Sequence, residues 1–198
     1  MSKFTLMPRN HRGKAYERVG LRIREFAGLS LHDPLDPFGL AKFAKITVIR
    51  PNDLQRLPSD VLRELVGRSQ ARWSGVTLAL PGGEQLCILN PTHGPERTRA
   101  TLMEEISHVL LGHEPTRIFI GVGGISCREY NAANEEVAYG VGAAALVPYA
   151  TLFVGLMDGA TPDSIARQYG VSAELVCYRI KITLLWDLYK KKLAQSAG

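Results

Sequence analysis

The residues best placed to do chemistry are Glu104 and His108, which stand four apart in a stretch whose apolar residues recur at helical spacing. Side chains four residues apart project from the same face of a helix. In the motif His-Glu-x-x-His, this spacing lets two imidazoles bind one metal ion while the intervening Glu acts as a general base. Glu105 and His108 match the second and last positions of that motif, and Glu104 replaces its first His.

Glu104 therefore decides whether this helix can hold a metal. Carboxylate oxygens are established zinc ligands, so Glu104 could bind where the motif has its first His. The extra carboxylate would make the donor set harder and more negative, which favours an oxygen-preferring metal or weaker binding of zinc. The competing interpretation is structural, because two adjacent Glu residues commonly form a solvated helix face and a His beside apolar residues is often a hydrogen-bonded core group.

The helix that carries these residues is predicted to end before Gly112, a natural left-handed stop. His113 follows it and could act as a fourth ligand, stabilise an oxyanion or interact with the helix dipole, of which the last is favoured. The apolar side of the helix is predicted to consist of Leu102, Ile106, Val109 and Leu110.

A hairpin is predicted directly upstream of this helix. Two short apolar runs, Val76 to Leu80 and Gln85 to Leu89, flank a turn that contains Pro81, Gly82 and Gly83. Its edge strand could pair with an extended peptide by strand addition.

A second helix is predicted from Ala132 to Val147, with Asn131 as its cap and Pro148 after its end. It carries Glu135 and Glu136 near its start, followed by small residues that permit close approach between helices. We expect this helix to lie against the first one, which would bring an acidic side chain within reach of Glu104 and His108.

The rest of the chain supplies further short elements and a helical tail. Gly170 and Ser172 give the tail the turn and the cap of a helix-turn-helix. A packed pair that completes the core is favoured over DNA binding, because the second helix has apolar residues and few base-reading side chains. Helices are predicted over 14–28, from Asp36-Pro37 through a segment that includes Phe43, over 59–66 and within 161–186. Strands are predicted over 46–49 and 117–120, with the glycine cluster at 121–124 as a turn.

Composition is that of an ordinary globular protein, with 198 residues, 45% apolar and 22% charged. The three cysteines are widely spaced and indicate reduced intracellular thiols rather than a disulfide framework. The first residues have no apolar segment typical of a signal peptide. The uncharged run from Val137 to Met157 is long enough to cross a bilayer, but Pro148 interrupts it, so a buried core is favoured over a membrane span. A cytoplasmic location is therefore expected, in agreement with the reduced thiols.

The motifs together resemble the ImmA/IrrE family of intracellular metallopeptidases, over about residues 36–178. The strongest similarity runs from Arg99 to His113 and continues in Glu135-Glu136-Val137-Ala138. Further similarities are the Ile-Leu-Asn-Pro that ends the hairpin, the Ala-Leu-Val-Pro at 145–148 and the Ile-Ala-x-x-Tyr-Gly-Val-Ser of the tail.

In that family two His and a downstream Glu hold zinc, and the Glu of the motif activates water. The resemblance therefore implies that His108 is a metal ligand and Glu105 the general base. It assigns the downstream acidic ligand to Glu135, with Glu136 as the alternative, and it places Glu104 at the position of the first His. Characterised members of the family are associated with cleaving repressors of mobile elements or stress regulons.

We therefore expect an α+β fold, namely a small zincin-like domain with a short mixed sheet, an active-site helix pair and a C-terminal helical segment. The predicted division is a basic arm (1–13), the peptidase domain (14–158) and a helix-turn-helix-like segment packed on that domain (159–198). The expected function is a zinc-dependent endopeptidase, with manganese or another divalent metal as alternatives, that acts on a protein or peptide such as a repressor. The alternative functions are a catalytically impaired pseudopeptidase that binds proteins and, less favoured, a DNA-binding regulator.

Overall fold

The computed structural model describes residues 6–50, 53, 59, 63, 73–79, 83–113, 118–121, 124–127 and 131–196. The chain forms two compact units, one made of residues 36–139 and the other of residues 1–35 and 140–198. The predicted helix from Ser59 to Val66 lies outside the described residues except for Ser59 and Arg63, which are both helical. The predicted division into arm, domain and tail stays a prediction.

The unit of residues 36–139 contains a three-stranded mixed sheet, in which the strand of residues 85–89 lies between the other two. Helix α1 (His11–Phe26) belongs to the other unit. Helix α2 (Pro37–Phe43) begins at the cap Asp36, whose carboxylate accepts hydrogen bonds from two backbone N–H groups of the first turn. Strand β1 (Ile46–Ile49) follows and pairs in parallel with β3 (Gln85–Leu89), which also pairs antiparallel with β2 (Gly75–Ala79). The predicted hairpin and the predicted strand at 46–49 are therefore confirmed.

Helix α3 (Pro95–Leu110) follows β3 and packs on β2 and β3. Its buried side consists of Thr101, Leu102, Met103, Glu105, Ile106 and Ser107. Leu110 was predicted to belong to this side, and that prediction is wrong, because Leu110 is 41% exposed. Gly112 has a φ of 68°, which confirms the predicted left-handed stop.

Close contact between α3 and the sheet depends on Gly75 at the start of β2. A Cβ atom at this position would lie 2.8 Å from Cγ2 of Thr101 and 3.3 Å from Cγ of Glu105. The absence of a side chain at Gly75 therefore lets the strand approach the helix beside Glu105.

A second, two-stranded sheet consists of β4 (Ile118–Gly121) and β5 (Gly124–Cys127), which pair antiparallel. Strand β5 begins within the glycine cluster that was predicted only as a turn. Helix α4 (Ala132–Leu146) comes next. As predicted, Asn131 caps it, because its side-chain oxygen accepts hydrogen bonds from the N–H groups of Ala133 and Asn134.

The unit of residues 1–35 and 140–198 is helical in its described part. Helix α1 (His11–Phe26) begins three residues before the predicted start at Lys14. It packs closely on α4, because a Cβ at Gly140 would lie 2.4 Å from the ring of Tyr16 and a Cβ at Gly20 would lie 2.8 Å from the backbone of Ala145. The other helices are α5 (Tyr149–Met157), α6 (Pro162–Tyr169), α7 (Ala173–Ile182) and α8 (Trp186–Ser196).

Buried charged side chains bind the backbone at the corner between α4 and α5. Helix ends leave backbone groups without intrahelical partners, and buried ends need partners from elsewhere. Arg24 donates to the carbonyl of Ala145, and Arg179 donates to the carbonyl of Val147. Glu17 accepts a hydrogen bond from the N–H of Tyr149 and forms an ion pair with Arg179. Burial raises the pKa of Glu17, which the two arginines oppose.

Helices α6 and α7 form the predicted turn, with Gly170 at a φ of 62° and the Ser172 hydroxyl accepting from the N–H of Leu175. On α7, Leu175, Val176 and Ile180 are buried, as the interpretation of a packed helix pair requires. Among the described helices, none is by itself long and apolar enough to cross a membrane. The pair α4 and α5, bent by 59°, passes that test of length and composition when it is taken together.

The predicted α+β fold class is confirmed, with eight helices and the small mixed sheet in the described part of the chain.

Replacing Arg179 by Met should lower the free energy of unfolding by about 3–5 kcal/mol, because it leaves the Glu17 carboxylate buried without its cation. The double variant Glu17→Gln/Arg179→Met should lose clearly less than the sum of the two single variants. Urea denaturation at pH 7 measures the free energy of unfolding of Glu17→Gln, of Arg179→Met and of the double variant. Arg18→Met, on the exposed side of α1, is the matched control and should change stability by less than about 0.5 kcal/mol. Additive losses in the double variant would contradict a coupled ion pair.

Gly75→Ala should lower the free energy of unfolding by about 1–3 kcal/mol, because the new methyl group overpacks the contact with Thr101. Adding Thr101→Ser removes the clashing Cγ2 atom and should restore part of that stability. Gly155→Ala in helix α5 is the control. A Cβ at this position would make only ordinary contacts with Ile165 and Ala160, so the change should leave stability unchanged or increased. A thermal melt compares the melting temperatures of the two Gly→Ala variants with that of wild type. Equal changes in melting temperature would show that strand β2 can move away from α3.

Candidate metal centre

Glu104 and His108 on α3 and Glu135 on α4 come together in the unit of residues 36–139. One ligand atom from each of the three side chains lies within 4.8 Å of the other two. Nε2 of His108 lies 3.6 Å from Oε2 of Glu135, and the side chains of these two residues are 13% and 19% exposed. The three side chains are therefore close enough to share one cation and partly shielded from water.

Two local features of the chain produce this arrangement. The spacing of four residues on α3 puts Glu104 and His108 on one face of the helix, while Leu102 and Ile106 are buried on another. On α4, the Asn131 cap fixes the helix start, so Glu135 lies in the first turn. Glu136, the alternative acidic ligand from the sequence, is exposed, and the cluster contains Glu135.

Glu105, the predicted general base, lies on the buried side of α3 and is 6% exposed. Its Cγ atom lies next to Gly75 of β2. Cys87 on β3 is also close, because the Glu105 carboxylate contributes, after burial, to raising the pKa of the Cys87 thiol to about 12. The thiol is therefore protonated at neutral pH, which disfavours it as a metal ligand because metals bind the thiolate.

His113 was predicted as a metal ligand, an oxyanion-stabilising group or a helix-end residue. Its Nδ1 lies 3.0 Å from Nδ1 of His108. The two rings are 5.0 Å apart between centroids and meet edge to face at 71°. His113 thus lies beside Nδ1 of His108, whereas Glu135 lies beside Nε2 of the same ring. The suggested roles of His113 as a ligand or an oxyanion-stabilising group stay predictions.

The donor set suits a divalent metal ion. Two carboxylates and one imidazole offer oxygen and nitrogen ligands, both of which zinc accepts, and three protein ligands are the usual number in a catalytic zinc site. The proximity of the two carboxylates points in the same direction, because like charges at short range destabilise each other unless a cation or a proton balances them.

Sequence reasoning missed Gly75 as part of the site. The residue has no chemistry of its own, but its missing side chain sets how closely β2 can approach Glu105. The sequence did contain an indication of this close contact, because a glycine within a strand pattern often marks the close approach of another segment. The identity of that segment could not be read from the local sequence.

Residues 74–181 match the family model described as the IrrE N-terminal-like domain, peptidase family M78. The match includes both helices that carry the candidate ligands, and it covers more than half of the 198 residues. No curated protein matches the chain. The family predicted from the motif residues is confirmed: the chain belongs to the IrrE N-terminal-like family of peptidases.

Proposed function

We propose that this protein is a metal-dependent endopeptidase in which Glu104, His108 and Glu135 hold the metal. The observation that carries the proposal is the convergence of these three side chains within 4.8 Å, in a chain of a peptidase family. Zinc fits the imidazole, and manganese fits the two carboxylates. When bound, such an ion supplies Lewis acidity to a peptide carbonyl and to water.

In this proposal Glu105 is the general base. One of its carboxylate oxygens takes a proton from the attacking water and delivers it to the nitrogen of the departing amine. Its position supports the assignment, because it directly follows Glu104 on α3 and is three residues before His108. Its burial against β2 holds the side chain in place, which keeps the proton acceptor in a fixed position relative to the ligands.

The substrate in this proposal is a protein or peptide, which is what a peptidase family implies. A transcriptional repressor as substrate rests on the family resemblance and stays a prediction. A cytoplasmic location rests on that resemblance and on the widely spaced cysteines, and it also stays a prediction. One observation favours a second candidate, a pseudopeptidase that binds proteins without cleaving them. Glu104 occupies the position where the motif has a His, so the site departs from the common zinc-binding set.

The metal proposal predicts about one equivalent of zinc or manganese per chain after reconstitution. Glu104→Ala should weaken zinc binding by at least about 100-fold, because it removes a ligand. Glu104→His should tighten zinc binding by about 10-fold, because imidazole suits zinc better than carboxylate does. Competition titration with a zinc chelator, supported by elemental analysis, measures these affinities.

Glu136→Gln is the matched control for Glu135→Gln, because the two residues are adjacent on α4 and Glu136 is exposed. Only the change at Glu135 should weaken metal binding. Equal zinc affinity for wild type, Glu104→Ala and Glu104→His would rule out Glu104 as a ligand. Absence of metal from the reconstituted wild type would overturn the site as a whole.

Glu105→Gln should lower peptide cleavage by about 10²–10⁴-fold, the usual contribution of a general base, while leaving the metal stoichiometry unchanged. Cleavage can be measured by mass spectrometry on a library of peptides produced by digesting a whole proteome. The library avoids any assumption about the substrate. Wild type that binds metal and cleaves none of the peptides, and that also leaves intact folded repressor proteins uncut, would favour the pseudopeptidase.

A further inference from the structure

The end of α3 brings His113 back over His108 through its backbone. Gly112 adopts a left-handed conformation, and the N–H of His113 donates to the carbonyl of His108 at 3.0 Å. The N–H of Gly112 donates to the carbonyl of Val109 at 3.1 Å. These two bonds form a Schellman motif, in which the residue after the glycine is held against the last turn of the helix. The position of His113 is thus fixed by main-chain geometry.

The side chains of this pair then interact through one nitrogen each. Nδ1 of His113 lies 3.0 Å from Nδ1 of His108, so between neutral rings one nitrogen donates and the other accepts. The other ring nitrogen of His108, Nε2, points to Glu135. The hydrogen bond made by one nitrogen of an imidazole determines whether the other carries a proton or a lone pair.

We propose that His113 is a positioning residue that accepts the Nδ1–H of His108 and thereby leaves the lone pair of His108 on Nε2. This inference rests on the proposed function, because the lone pair would serve metal binding together with Glu104 and Glu135. A ligating imidazole generally donates its second N–H to a neighbouring acceptor, which fixes the tautomer and the orientation of the ring. In this chain the acceptor is another imidazole, which itself keeps its proton on Nε2.

The reverse arrangement has a distinct structural consequence. If Nδ1 of His113 donated instead, Nε2 of His108 would carry the proton and face the Glu135 carboxylate as a donor. In that tautomer Nε2 of His108 has no lone pair available for a metal ion. The position of a single proton therefore separates a metal-binding site from a histidine–carboxylate pair.

His113→Phe tests the inference, because it keeps an aromatic ring and removes the acceptor. It should weaken zinc binding by about 10–100-fold, the usual effect of losing the partner of a ligating His. His113→Asn, whose side-chain oxygen can replace Nδ1 as acceptor, should stay within about 3-fold of wild type. His32→Phe, on an exposed loop, is the control and should match wild type.

A second measurement reads the tautomer without any metal. In the metal-free wild type at about pH 8.5, where an ordinary imidazole is neutral, ¹⁵N correlation spectra should show His108 protonated on Nδ1. In His113→Phe the proton should redistribute toward Nε2. A His108 protonated on Nε2 in the wild type, or zinc affinity unchanged by His113→Phe, would overturn the inference while leaving the proposed function intact. Wild type that binds neither zinc nor manganese would instead overturn the proposed function and this inference with it.

Discussion

The candidate site depends on one electrostatic constraint, the proximity of the Glu104 and Glu135 carboxylates around His108. At an effective dielectric constant of about 20, two like unit charges about 5 Å apart repel each other by about 3 kcal/mol. Packing of α3 and the capped start of α4 hold these groups together despite that repulsion. A cation shared by the two carboxylates and by Nε2 of His108 would attract both carboxylates and offset that repulsion.

Local sequence signals were sufficient for the elements that carry the site. The spacing of Glu104 and His108, the stop at Gly112 and the cap at Asn131 act over four residues or fewer, so they could be read directly from the chain. They determine where α3 ends, where α4 begins and which face of α3 carries the candidate ligands. The hairpin before α3 was recognisable for the same reason, since its turn residues lie between two short apolar runs.

Contacts between distant segments could not be predicted in this way. The small residues of α4 indicated a close helix neighbour, but not that Gly140 would pack against Tyr16 of α1. Arg179 gave no sign in its own segment of pairing with Glu17, which lies 162 positions earlier in the chain. Leu110 fits the helical period of an apolar side and is nevertheless exposed. The period shows which residues share one face of a helix, but it does not show how much of that face another segment covers.

The replacement of a His by Glu104 increases the importance of the one imidazole in the described cluster. Carboxylates bind hard, oxygen-preferring ions readily, so preference for zinc over such ions depends on nitrogen donors. With two carboxylates in the cluster, that preference falls on Nε2 of His108. The donor quality of Nε2 depends in turn on the hydrogen bond that Nδ1 of His108 makes with Nδ1 of His113. A residue just past the helix end, placed there by Gly112, would therefore influence which metal this site selects.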